Sequence, residues 1–189
     1  MVSWLVGHRD EANAVEFVRD LASRLAGRIQ MTTDGLKLYV NAAEGAFGGD
    51  IDFAMLTKIY GPSGNDKSAE TRYSPGRIKG MECAIMAGEP DKAHISTSYV
   101  ERANRSMRMG MRRFTRLTNA FSKKFENHCH AVSLFMFHYN FIRIHQTTRC
   151  TPAMAAGVTD WLWSMSALVA LIESRECEAA QAATATRPY

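Results

Sequence analysis

Two carboxylates and a row of arginines are the residues of this chain best placed to do chemistry. Glu101 opens a segment in which apolar and charged positions separate at helical spacing, predicting a helix over residues 99–118. At about 100° per residue, Glu101, Arg105, Arg108, Arg112 and Arg116 fall within about 80° of one another. The opposite face carries Val100, Ala103, Met107, Met111, Phe114 and Leu117. From Tyr99 to Lys124, where Lys123 and Lys124 close the run, eight Lys/Arg face one acid. The stretch therefore holds +7 of a chain whose net charge is +4, leaving −3 elsewhere. Such clustering is an electrostatic footprint for a polyanion, with contacts to phosphate that are independent of base sequence and sensitive to salt. A second carboxylate, Asp34, ends an alternating segment and precedes Gly35, the position where open α/β sheets tend to carry functional groups. Each acid also has a plain reading: Asp34 as a turn former, Glu101 as a helix N-terminal acid paired with Arg105. Taken together beside the basic stripe, they suit a Mg²⁺ or Mn²⁺ ion that shares its shell with phosphate oxygens.

The elements that must position these groups follow from the pattern. Val2–Val6 reads as a short buried strand. Asp10 caps a helix with apolar residues at Ala14, Val15, Val18, Leu21, Ala22 and Leu25, closed by Gly27. Residues 28–33 alternate as a strand, 36–46 form a smaller helix, and 51–60 form another strand. Residues 61–77 are rich in Gly, Pro, Ser and charge and read as an exposed loop; 78–87 form one more strand or a hairpin. The second half is helical. Residues 125–144 are apolar nearly all round and predict a buried helix, Thr151-Pro152 starts a short one, and Asp160 caps a last one to about Ser174. The segment 176–189 has little to bury and is expected to be a disordered tail. The layout is α/β with a helical C-terminal half, in one domain over residues 1–175.

Composition narrows the class. Of the 189 residues, 46% are hydrophobic and 22% charged, ordinary for a globular domain. Cys83, Cys129, Cys150 and Cys177 are widely spaced and form no C-x-x-C pair, which points to thiols of a reducing compartment. His128-Cys129-His130 lacks a second ligand pair at zinc spacing. The apolar stretch 161–172 is too short to span a bilayer, and the N-terminus has no signal-peptide pattern, so the expected location is the cytoplasm without membrane contact. Trp161 and Trp163 read as packing residues.

Three segments together resemble a known family. Ser98-Tyr-Val-Glu101-Arg-Ala-Asn-Arg105-Ser-Met-Arg108 resembles the glutamate motif of DDE transposases and retroviral-type integrases. Tyr139-Asn140-Phe-Ile-Arg143-Ile-His145, followed by Thr151-Pro152-Ala153, is similar to the family's closing segment, and Thr32-Thr33-Asp34-Gly35 looks like the strand end bearing its second aspartate. The likeness runs from Val2 to about Leu171 and is nearest to bacterial insertion-sequence transposases. It implies a ribonuclease H-like mixed sheet flanked by helices, and metal-dependent DNA cleavage and strand transfer in DNA transposition. On that resemblance Asp34 and Glu101 are the second and third metal ligands, and Arg108 matches a position that contacts the DNA end. Arg143 and His145 belong to the conserved closing motif and are taken with the arginine stripe as DNA contacts. The expected partners are transposon-end and target DNA and, in the intact enzyme, further copies of the chain.

The family's first aspartate lies on a strand before the segment that is Val2–Val6 here. The chain is therefore expected to lack the first strand and its acid, to represent the C-terminal part of a transposase, and to be inactive alone. A non-catalytic DNA-binding or transposase-interfering protein needs only the arginines and stands as the alternative. A chain that does not fold stably, through loss of a central strand, is a third.

Overall fold

The computed structural model describes residues 1–61, 78–115, 119, 120 and 122–185. The chain divides into two compact units, residues 2–109 and residues 110–189 together with Met1.

In the first unit, Asp10 caps α1 (Glu11–Ser23) by accepting the Asn13 amide at 2.9 Å. A strand β1 (Ile29–Thr33) leads through α2 (Leu38–Phe47) to β2 (Ile51–Tyr60), which lies parallel to β1 in the register Ile29↔Ile51 to Thr33↔Met55. This is a β-α-β crossover, the connection that parallel neighbours require. β3 (Ile78–Ala87) then pairs antiparallel with β2, giving a mixed three-stranded sheet in the order β1-β2-β3.

The core follows from the alternation of β2. Ile51, Phe53 and Met55 point to one side and pack with Ala43 of α2; Ala42 of the same helix packs with Ala14 and Val18 of α1. Ile51 and Val18 are 1% exposed and Phe53 2%. Burial on that scale contributes about 1.5–3 kcal/mol for each such side chain. Below this core, Arg28 holds Asp52 through two hydrogen bonds of 2.7 and 2.9 Å. The Glu89 amide, just past β3, donates to the same carboxylate at 2.8 Å and returns the chain across the sheet.

α3 (Ser98–Gly110) lies in the first unit up to Met109, and its last residue begins the second. The second unit contains α4 (Phe125–Phe137), a π-helical turn His138–Ile142, α5 (Pro152–Ala155) and α6 (Met165–Ala185). With these, close to half of the chain is helical.

Several expectations need correction. Val2–Val6 forms no strand: in the described structure these residues pair with none of the three strands. A mostly apolar segment of five residues does not make a strand without a sheet edge to complete. α1 stops at Ser23, short of Gly27, which takes a positive φ of 77° in the turn toward β1. The helix expected over residues 99–118 ends at Gly110, and Met111 is extended before a short 3-10 turn at Arg112–Phe114. Gly110 lies so close to the Phe135 ring that a Cβ would stand 2.6 Å from it, and glycine is a weak helix residue in any case. Packing outweighs the charge pattern here.

Residues 125–144 are not a single buried helix, because α4 gives way to the π-turn after Phe137. Only Val132 and Met136 of α4 are buried, and Phe125 and Leu134 are exposed. The last helix starts at Met165, where the Ser164 hydroxyl, and not Asp160, accepts the amide of Ala167. It runs on to Ala185 through residues expected to be a disordered tail. Ala, Glu and Gln there have strong helix propensity, which needs no burial to act. The expected loop at 62–77, Arg116 and residues 186–189 lie outside the described residues.

Candidate functional site

Asp34 follows the last residue of β1, and its Oδ1 accepts the Leu36 amide at 3.1 Å. The turn role and the strand-end position therefore coexist. Its neighbour Gly35 runs so close to β2 that a Cβ there would stand 2.7 Å from Thr57 Oγ1 and 3.2 Å from its methyl carbon. A side chain at this position would collide with Thr57, so Gly35 favours the path on which Asp34 emerges.

Glu101 lies in the first turn of α3. Its Oε1 accepts from the Lys58 ammonium in an ion pair and from Thr97 Oγ1 at 3.0 Å. Lys58 belongs to the carboxyl half of β2, so its partner Glu101 and the Asp34 turn lie at the same end of the parallel pair β1/β2. The Lys58 ammonium first, then the Thr97 hydroxyl, hold the Glu101 carboxyl below its usual range. The ion pair expected with Arg105 is replaced by this tertiary one. Lys58 is the residue that sequence reasoning missed. Its signal was a single cation in a mostly apolar strand, Ile-Asp-Phe-Ala-Met-Leu-Thr-Lys-Ile-Tyr.

Arg105 and Arg108 are exposed on α3 and, at helical spacing, lie within about 60° of Glu101. Arg102, also exposed, is turned about 100° away on the same geometry. Arg112 is exposed in the 3-10 turn beyond the helix end and belongs to the second unit, as do Lys123 and Lys124, both exposed before α4. The continuous five-residue stripe is therefore reduced to its first three members.

In the second unit, Tyr139 and His145 close on each other. Their rings meet edge-on with centroids 4.5 Å apart, and the His145 ring lies 3.3 Å from the Tyr139 carbonyl. Backbone bonds from His145 to Cys150 and from Arg149 to His145 complete a tight turn. His145 is thus half-buried within its own motif, whereas Arg143 is exposed. Thr151, fully buried, caps α5 by accepting the Met154 amide at 3.2 Å. The Thr-Pro-Ala segment is a helix start.

No family model, curated protein or solved structure matches the chain. What the site can do rests on its own geometry.

Asp34 and Glu101 supply the hard oxygen donors that Mg²⁺ prefers. However, an ammonium already occupies Glu101 Oε1. Among the described residues, no group of three or more His, Cys, Asp or Glu is placed to hold a metal ion. In this arrangement the partner of Glu101 Oε1 is the Lys58 ammonium. Among the described residues, no helix is long and apolar enough to cross a membrane.

Proposed function

We propose that this chain is a transposase-type, ribonuclease H-like core that binds DNA through its arginines and does not by itself transfer strands. The observation that carries the reading is the face of α3 on which Arg105 and Arg108 stand exposed beside Glu101. Within α3 itself three arginines stand against one acid, which gives a phosphate backbone a local counter-charge. The β1-α2-β2 unit supports the family reading, because it sets Asp34 and the partner of Glu101 at the carboxyl ends of parallel strands. The Lys58 pair supports the absence of strand transfer, because it neutralises one of the two acids that this chain would contribute to the family's three-acid site.

Duplex DNA binding by the purified chain, followed by fluorescence anisotropy, tests the reading. Asp34→Ala is expected to leave affinity within about two-fold, since the acid makes no phosphate contact; Arg105→Ala with Arg108→Ala is expected to weaken it. Binding that ignores both arginines would overturn the proposal. So would robust strand transfer of pre-cleaved ends in Mn²⁺ that Glu101→Ala abolishes.

A further inference from the structure

The second unit carries an aromatic stack whose outermost member is left open. Trp161 and Trp163 lie face to face, ring centroids 4.4 Å apart at 28°. Trp163 is in turn held edge-on by Phe137 at 5.4 Å and Phe141 at 6.1 Å. The inner ring is therefore fixed by packing, and its amide is bonded to the Phe141 carbonyl at 3.3 Å. Trp161 is fixed through its backbone: its amide lies 3.4 Å from Thr159 Oγ1, and its carbonyl accepts from the same hydroxyl at 3.3 Å. Trp161 nevertheless remains 48% exposed. Stacked on its half-buried neighbour, the Trp161 side chain presents aromatic surface to solvent.

The surroundings decide between possible occupants. Arg143 follows two residues after Phe141, the residue to which Trp163 is bonded, and is exposed; Arg149 is exposed on the same turn. Residues 141–163 carry these two arginines against one acid, Asp160. Aromatic rings combined with cations on a neighbouring turn are a means by which proteins hold unpaired nucleotides, with base on ring and phosphate on guanidinium. Val158, Leu162 and Met165 are exposed close by in sequence as well, so an apolar protein partner is the competing occupant, one that would give no gain from an unpaired overhang. We propose that Trp161 is a stacking platform for an unpaired base of DNA, with Arg143 answering the adjacent phosphate. This inference rests on the DNA-binding reading above and specifies a second, distinct contact for it.

The test uses the full chain and two labelled probes, a blunt duplex and the same duplex with a short run of unpaired thymines at one 3′ end. The overhang is expected to tighten binding by about five- to a hundred-fold, the range that one base–aromatic stack supplies. Trp161→Ala should remove that gain and leave blunt-duplex affinity unchanged, and Trp161→Phe should restore most of it. The equal blunt-duplex affinity also shows that the variant is folded. Arg143→Ala should reduce the gain in part. If blunt duplex binds and the overhang adds nothing, or if Trp161→Ala weakens both probes equally, the platform is refuted while DNA binding stands. If neither probe binds, both readings fall together.

Discussion

Gly35 offers a sharp test of how Asp34 is held in place. An alanine there sets a methyl carbon 2.7 Å from Thr57 Oγ1 and 3.2 Å from its methyl, both inside ordinary contact distance. Thr57 is β-branched, so its hydroxyl and methyl cannot both turn away, and the strain must pass to the backbone between β1 and α2. Overpacking of this kind costs about 1–3 kcal/mol. Urea unfolding of Gly35→Ala should show that loss as a lower midpoint with an unchanged slope. The decisive variant is the pair Gly35→Ala with Thr57→Ala, which removes both colliding atoms. Its stability should exceed that of Gly35→Ala alone, although Thr57→Ala by itself gives no gain. Additive effects of the two substitutions would refute the close approach, and with it the account of why Asp34 emerges where it does.

Other consequences follow from particular contacts. Two hydrogen bonds from Arg28, and then the Glu89 amide, hold the Asp52 carboxyl down to about 2. A carboxyl depressed in the folded state stabilises above its unfolded value of about 4 and loses that contribution as pH falls. The stability gap between the wild type and Asp52→Asn, measured by thermal unfolding, should therefore be constant above about pH 4 and close as the pH approaches 2; a gap independent of pH would contradict the pairing. Thr151→Ala removes the cap of a buried helix start and should cost about 1 kcal/mol in urea unfolding, whereas Thr151→Ser should retain most of the stability.

Much of the first unit was legible because its signals are local. Gly48-Gly49 before Ile51 and Gly61 after Tyr60 bracket β2, and Asp10 stands one residue before α1 and bonds Asn13 as a cap should. Thr151 before Pro152 marks α5 in the same way. The failures are tertiary. Nothing near Lys58 in sequence announces that it meets Glu101, 43 residues later. The end of α3 is set by Gly110 against Phe135, a contact invisible to a periodicity that continues smoothly to Leu117. Trp161 and Trp163 were read as packing residues, which holds for Trp163; only the fold exposes the face of its neighbour. The strand expected at Val2–Val6 failed because a short apolar segment specifies no pairing partner.

The salt dependence of DNA binding tests the central claim, contact between the α3 arginines and phosphate, most directly. Each phosphate contact contributes about −0.9 to the slope of log K against log salt, so Arg105 and Arg108 together contribute about −1.8. The wild type should therefore show a slope at least that steep, losing roughly ten-fold or more in affinity from 50 to 200 mM salt. Replacing both arginines by alanine should flatten the slope by about 1.8. A wild-type slope near zero, or one that the double substitution leaves unchanged, would contradict the account.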